Sequence, residues 1–213
     1  MSSSLIIRER DAALAAAALP ERVAAALALV AVSHVLFISA ATLALLSRRT
    51  PLIAHRRVGW RGQTLWMLKL RTMWDSAGEV RPGWVEYIDD PVGPDSKDPE
   101  DPRVSHPFAR FCRRHSIDEL PQLLHVIRGE MALVGPRPLT ARELHRYYGE
   151  DAPEVLEVKP GIAGLWQICG RNRLSYAERR ALDLKLVRGR SRGMYLRILI
   201  GSLREVWTGA NTW

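Results

Sequence analysis

Little in the sequence could crosslink the chain or organise it around a metal. Its two cysteines, Cys112 and Cys169, lie far apart, and neither belongs to a Cys-x-x-Cys pair or a Cys/His cluster. This argues against both a disulfide-stapled secreted fold and a structural zinc site. No Gly-x-x-x-x-Gly-Lys stretch occurs, which removes a P-loop. Nor is there a nucleic-acid-binding module or a Gly, aromatic and basic pattern of the RNA-binding kind, so nucleic acid is not the expected partner of the surplus positive charge. That surplus is real: 31 Lys and Arg stand against 23 Asp and Glu in 213 residues, a formal charge of +8. An anionic leaflet or phosphorylated substrates are the partners that remain.

Charge itself is missing from one segment. Val23 to Leu46 contains no Asp, Glu, Lys or Arg over 24 residues. As a helix it would extend roughly 36 Å, enough to cross the hydrocarbon core. A secretory signal fits poorly, because a long polar lead-in with Glu9, Asp11 and Glu21 precedes the run and no cleavage site follows it. Arg48, Arg49, Arg56, Arg57 and Arg61 come directly after, so the positive-inside rule puts the remainder of the chain in the cytoplasm. Arg8, Arg10 and Arg22 precede the run as well, which also suits a helix that dips into one leaflet and returns. Ser33, His34, Ser39 and Thr42 could cover backbone groups freed at a bend, although a straight helix needs no such cover.

Beyond Thr50 the composition becomes that of a folded domain. "GWRG" at 59–62, with apolar residues on both sides, predicts a hairpin whose second strand ends near Met73. Residues 75–103 are rich in Gly, Pro and Asp and predict a surface loop with one short element around Trp84 to Ile88. A helix is expected from near Ser116 to about Ile127, with Gly129 as its C-cap and either Ser116 or Asp118 as its N-cap. Ser175 and Glu178 form a capping box that opens a second helix over "YAERRALDLKLV". A last amphipathic stretch, "GMYLRILIGSLREVW", reads either as a core-facing helix or as an interfacial one behind the basic "RGRSRG".

Asp118 and Glu119 are adjacent acids at the head of an apolar helix in a basic chain. Capping and solubility account for such a pair in general, since acids are favoured in a first helical turn. Glycoside hydrolysis needs two carboxylates on opposite sides of a bond, about 5 Å or more apart, and adjacent residues must splay to achieve that. A non-catalytic membrane scaffold would account for the anchor and the basic surface. It would not require an acidic pair followed by Arg137 between two prolines and a Gly-rich loop at 161–164.

Several stretches together resemble one family. These are "RRVGWRG" (56–62), "LKLRTM" (68–73), "DPRVS" (101–105), "RRHSIDELPQLLHVIRGEMALVGPRPL" (113–139), "VKPGIAGLWQICGRNRLSYAER" (158–179) and "LDLKLV" (182–187). With the apolar segment before them, they resemble the bacterial sugar transferases of the monotopic phosphoglycosyl transferase superfamily. The resemblance implies an α+β fold: a compact, mostly helical catalytic domain with a short β-hairpin, a re-entrant membrane helix and surface-lying amphipathic helices. It divides the chain into a lead-in at 1–21, the re-entrant helix at 22–49 and a cytoplasmic catalytic domain at 50–213. Family members usually bend the membrane helix at Ser-Pro, where this chain has Ser33-His34.

The activity the resemblance implies is transfer of a phosphosugar from a nucleotide diphosphosugar, with uridine the expected base, to polyprenyl phosphate on the cytoplasmic face of the bacterial inner membrane. Asp118 would be the nucleophile and the Mg²⁺ ligand, and Glu119 would activate the acceptor. Lys69, Arg71, Arg113, Arg114 and Arg137 are the candidate phosphate-binding cations, and Trp166, Gln167, Arg171 and Asn172 are candidate walls of a nucleotide or sugar pocket. Anionic phospholipid is the expected surface partner, and a homodimer is left open.

Overall fold

The structure is a computed structural model that describes residues 19–74, 83–89, 104, 106–170 and 173–209. It is α+β and mostly helical, as expected. The apolar segment forms one helix, α1 (Leu19–Ser47), long and apolar enough to cross a membrane. Its helical pairing continues unbroken through Ser33 and His34. Ser33 Oγ donates to the Val30 carbonyl and Thr42 Oγ1 to the Ile38 carbonyl, each at 2.8 Å, so these hydroxyls bond their own turns instead of opening a bend.

Composition is apolar all round α1, but packing is one-sided. Ala25, Ser39 and Leu43 are buried, and Ala28, Leu29, Val32, Leu36 and Ala40 pack beside them against the domain. These positions recur every three or four residues and form one face. Leu27, Val30, Phe37 and Leu45 on the other side are each more than 65% exposed. The start of the helix is fastened too: Glu21 Oε1 accepts from Leu133 N–H (2.6 Å) and from the Tyr195 hydroxyl (3.0 Å), and Arg22 donates to the Arg128 carbonyl (2.7 Å).

The expected hairpin is present as β1 (Leu52–Val58) and β2 (Thr64–Leu70), paired antiparallel, with the second strand ending three residues before Met73. Its connection turns through Arg61 and Gly62 at positive φ. The expected short element within 75–103 is β3 (Val85–Ile88), which pairs parallel with β1 to give the order β2-β1-β3. Residues 75–82 and 90–103 of that stretch lie outside the described residues. As an edge strand, β2 carries N–H groups that need partners, and His125 Nε2 accepts the one from Leu68 (3.1 Å). Because Nε2 accepts, the ring proton sits on Nδ1 and points at Glu130.

One helix expectation is corrected. Pro107 opens α2 (Pro107–Arg114), and the chain then turns through Ser116 in the left-handed region at φ 54°. Ile117–Gln122 form a 3-10 helix, and only Leu123–Arg128 is α-helical (α3), closed by Gly129 at φ 80° as expected. No Ser116 side-chain cap forms. Pro121 is the physical reason, because it has no N–H to give an α-helical turn and its ring crowds that turn.

A second, two-stranded parallel sheet joins β4 (Ala132–Val134) to β5 (Gly161–Ala163). The short helices α4 (Ala141–Glu143) and α5 (Ala152–Leu156) lie between these strands in sequence, and α6 (Leu165–Ile168) follows β5. The capping box of Ser175 and Glu178 opens α7 (Tyr176–Arg188) as read from sequence. The final stretch forms α8 (Arg192–Thr208), on which Ile198 is fully buried, as the core-facing reading expects, whereas Leu196, Ile200, Leu203 and Trp207 are exposed. The helix is pinned near its start by Tyr195 on Glu21 and near its end by His115 Nδ1, which donates to the Val206 carbonyl at 2.8 Å.

Gly135 and Gly161 let the two strand ends meet backbone to backbone. A Cβ on Gly161 would lie 2.0 Å from Gly135 N, and one on Gly135 2.4 Å from the Lys159 carbonyl oxygen. Gly161→Ala is therefore expected to destabilise the fold by about 3 kcal/mol or more, at the upper end of overpacking costs, because backbone cannot step aside as a side chain can. Denaturant unfolding of wild type and variant in the same detergent checks this, and an unchanged midpoint would refute it.

Candidate active site

The acid pair lies where α1, α2 and β2 converge. In a 3-10 helix successive residues are about 120° apart, so neighbouring side chains leave in different directions. Asp118 turns inward and is buried. Cys112 of α2 is its neighbour: burial first, then the Asp118 charge, pushes the Cys112 thiol up to about 11, and a hydrogen bond with Ser39 of α1 works against both. Asp118 thus sits under the apolar helix near Ser39, in its C-terminal third. Glu119 turns to the sheet, where its Oε1 is 2.8 Å from Lys69 Nζ, both side chains being mostly buried.

The other cations near β2 have structural contacts as well. Arg71, just past the end of β2, donates through Nε to the Thr50 carbonyl (2.8 Å) and pairs with Glu86 of β3 (2.6 Å). Arg113 donates to Thr72 Oγ1 at 3.4 Å, and the Arg114 side chain lies against Gly209.

Arg137 belongs to a second cluster, seated by the Gly135–Gly161 contact. Its guanidinium lies 5.4 Å from the Trp166 ring centroid, and Arg179 lies 5.2 Å from the same ring. Trp166 is buried, and Gln167 closes its own turn by donating to the Ile162 carbonyl and accepting from Gly164 N–H. Arg171 and Asn172 fall outside the described residues.

Sequence reasoning missed the acids around Arg137. Glu143 forms a capping box with Thr140 at the head of α4. Burial raises its pKa, but Arg137, the Thr140 hydrogen bonds and Arg57 outweigh burial and hold it below the ordinary carboxylate range. The Thr140-x-x-Glu143 spacing was a readable signal. Asp183 of α7 is fully buried and accepts from the Tyr148 hydroxyl at 2.7 Å. Burial pushes its carboxyl up to about 7, and Tyr148 and Arg137 pull it back only in part. Tyr176, stacked on Tyr147, hydrogen-bonds Glu143; burial, followed by that acid's charge, pushes its hydroxyl up to about 12.

No group of three His, Cys, Asp or Glu side chains converges among the described residues. With Glu119 turned to Lys69, Asp118 offers one carboxylate, which fits a hard cation only in the manner common for Mg²⁺, with the remaining ligands drawn from phosphate oxygens and water.

A sequence profile of the bacterial sugar transferases matches residues 13–209. The chain is similar to the exopolysaccharide production protein ExoY of Rhizobium meliloti (strain 1021), 44% identical over 141 residues that cover 62% of this chain and 59% of that protein. It is similar to the UDP-galactose-lipid carrier transferase of Erwinia amylovora, 44% identical over 140 residues, 62% of this chain and 28% of that protein. A third relative is the undecaprenyl-phosphate galactose phosphotransferase of Salmonella typhimurium (strain LT2), 41% identical over 134 residues, 61% of this chain and 27% of that protein. The chain therefore matches less than two thirds of the length of each of these relatives.

The raised Asp183 carboxyl makes stability depend on pH. Its folded pKa of about 7 lies above the ordinary value of 3.8, so between those limits the folded state holds a proton that the unfolded state has lost. Stability from this group is complete below the ordinary value and is lost as pH rises toward 7. Relative to Asp183→Asn, wild type should lose on the order of 4 kcal/mol across that window. Parallel stability curves for the two proteins between pH 4 and 7.5 would refute the assignment.

Proposed function

Because the chain belongs to the bacterial sugar transferase family, we propose that it moves a phosphosugar from a UDP-sugar onto polyprenyl phosphate and releases UMP. The observation that carries this reading is the position of the acid pair: Asp118 is buried beside Cys112 and Ser39 beneath α1, while Glu119 is paired with Lys69. A nucleophile under an apolar helix is within reach of an acceptor whose phosphate is held at a membrane surface. The names of the Erwinia and Salmonella relatives point the same way, since they specify a UDP-galactose-lipid carrier and an undecaprenyl-phosphate acceptor.

In the proposed first step an Asp118 carboxylate oxygen attacks the sugar-proximal phosphorus. The bond from that phosphorus to the UMP oxygen breaks, UMP leaves as the anion, and an acyl phosphate remains on Asp118. In the second step an oxygen of polyprenyl phosphate attacks the same phosphorus, its proton passes to Glu119, and the Asp118 carboxylate is released. Lys69 holds the Glu119 carboxylate in place for that transfer, and Arg113 and Arg137 are the cations offered to phosphate oxygens. A Mg²⁺ at Asp118 would supply charge neutralisation on the diphosphate.

The same reading places the chain on the cytoplasmic face of the bacterial inner membrane. Both ends of α1 are tied to one domain, through Glu21 and Arg22 at the start and through the four-residue link from Ser47 to β1, which favours a helix that enters one leaflet with both ends on the same side. Single cysteines at Ser3 and Glu150, in a background lacking Cys112 and Cys169, should both resist an impermeant thiol reagent in intact cells and both react after permeabilisation. Labelling of position 3 alone from outside would establish a spanning helix instead.

Asp118→Asn should abolish both turnover and the phosphosugar adduct, because an amide cannot form the acyl phosphate. Glu119→Gln should still form adduct from the donor and lose at least about 100-fold in transfer to polyprenyl phosphate, within the range for a lost general base. Intact-protein mass spectrometry with donor and Mg²⁺, followed by peptide mapping, separates the two steps. Substantial turnover by Asp118→Asn, or an adduct mapped elsewhere, would sink the assignment.

A further inference from the structure

At the start of α8 a cavity of about 470 Å³ opens between that helix and the β4 end of the small sheet. The volume is that of a small-molecule site. Val134, Val158, Leu186, Met194 and Leu196 form apolar walls, and Arg190 and Arg192, both exposed, line the same cavity. Neither arginine takes part in an ion pair among the described residues. Such a site is built for an amphiphile: hydrocarbon against the walls, an anion between two planar donors that suit phosphate oxygens.

Its position says which amphiphile. Tyr195, which also lines the cavity, bonds Glu21 at the start of α1, so the opening lies beside the first turn of the apolar helix. The acid pair belongs to the part of α1 near Ser39. From residue 21 to residue 39 a helix rises roughly 27 Å, too far for a phosphate in this cavity to meet Asp118. The cavity is therefore distinct from the transfer site. Of the exposed apolar residues of α8, Leu196 lines the cavity and can carry an acyl chain outward from it, whereas Leu203 lies about two turns further along the helix.

We infer that this cavity binds one anionic phospholipid of the adjoining leaflet, its phosphate between Arg190 and Arg192 and an acyl chain along Leu186, Met194 and Leu196. The inference rests on the membrane placement proposed above, and not on the transfer chemistry. The bound lipid would hold the α7–α8 corner and the start of α1 at one depth in the leaflet.

The test is native mass spectrometry of the full chain in detergent, titrated with phosphatidylglycerol or with phosphatidylcholine of the same acyl chains. Wild type should show a single-lipid adduct with phosphatidylglycerol at about tenfold lower lipid concentration than with phosphatidylcholine. Arg190→Gln/Arg192→Gln should erase that preference, whereas Arg197→Gln/Arg204→Gln, which removes the same charge further along α8, should keep it. Leu196→Asp should weaken the adduct and Leu203→Asp should not. Equal losses from both arginine pairs, or adducts with no one-lipid preference, would overturn the site in favour of general surface charge. Displacement of the lipid by millimolar inorganic phosphate would overturn it in favour of a free-anion site. The Asp118 adduct from the nucleotide sugar is read in the same spectra, so a failed lipid site and a failed transferase reading give different results.

Discussion

The docking of α1 along the domain is the contact on which the other arrangements depend. Ala25 closes one cluster with Leu65, Met67, Val126 and Met131, and Leu43 closes another with Leu70, Val104, Ala109 and Cys112. Fully burying a leucine is worth about 1.5–3 kcal/mol in water, so this seam binds the helix to the hairpin and α2 without help from lipid. Ser39 lies on the same buried face and next to Cys112, hence next to Asp118. The apolar side left open is the one a bilayer can solvate. One helix therefore joins a membrane-compatible surface to the acid pair.

The second constraint is the close approach of Gly135 and Gly161. It sets β4 on β5 and precedes Arg137, whose guanidinium lies by Trp166. Around Arg137 the interior holds two acids of different character: Glu143 is kept ionised by its neighbours, whereas Asp183 is pushed toward the protonated form by burial. Buried charge persists where partners compensate its lost hydration. Arg137 is thus held by surroundings that would hold it with or without substrate, which is the condition for a cation positioned ahead of binding.

How much of this was legible follows from the range of each interaction. The hairpin, the short strand near Trp84, the Gly129 cap and the box at Ser175 are local patterns of a few residues, and each appears where the sequence puts it. The same local reasoning failed at Ser116, where Ser-x-x-Glu has the spacing of a box but Ser116 is spent on the left-handed turn that ends α2. The helix of α2 itself was overlooked, although His106 followed by Pro107 is a readable start. No local pattern could pair β4 with β5, two three-residue strands far apart in sequence. Nor could one show that Trp166 is interior and carries Arg137.

The failure at Ser116 changes the chemistry more than the fold. An α-helix would present both acids to its own N-terminal N–H groups, and the case for the pair would rest on the helix dipole. The 3-10 turn instead parts them, one toward α1 and one toward β2, so the electrostatics are those of two separate surroundings. Lys69 is paired with Glu119. Adjacent carboxylates that differ in surroundings can take different tasks, and the proposed division between covalent attack and proton transfer needs that difference. What separates them is Pro121, three residues after Asp118, which denies the chain a regular α-helix at this point.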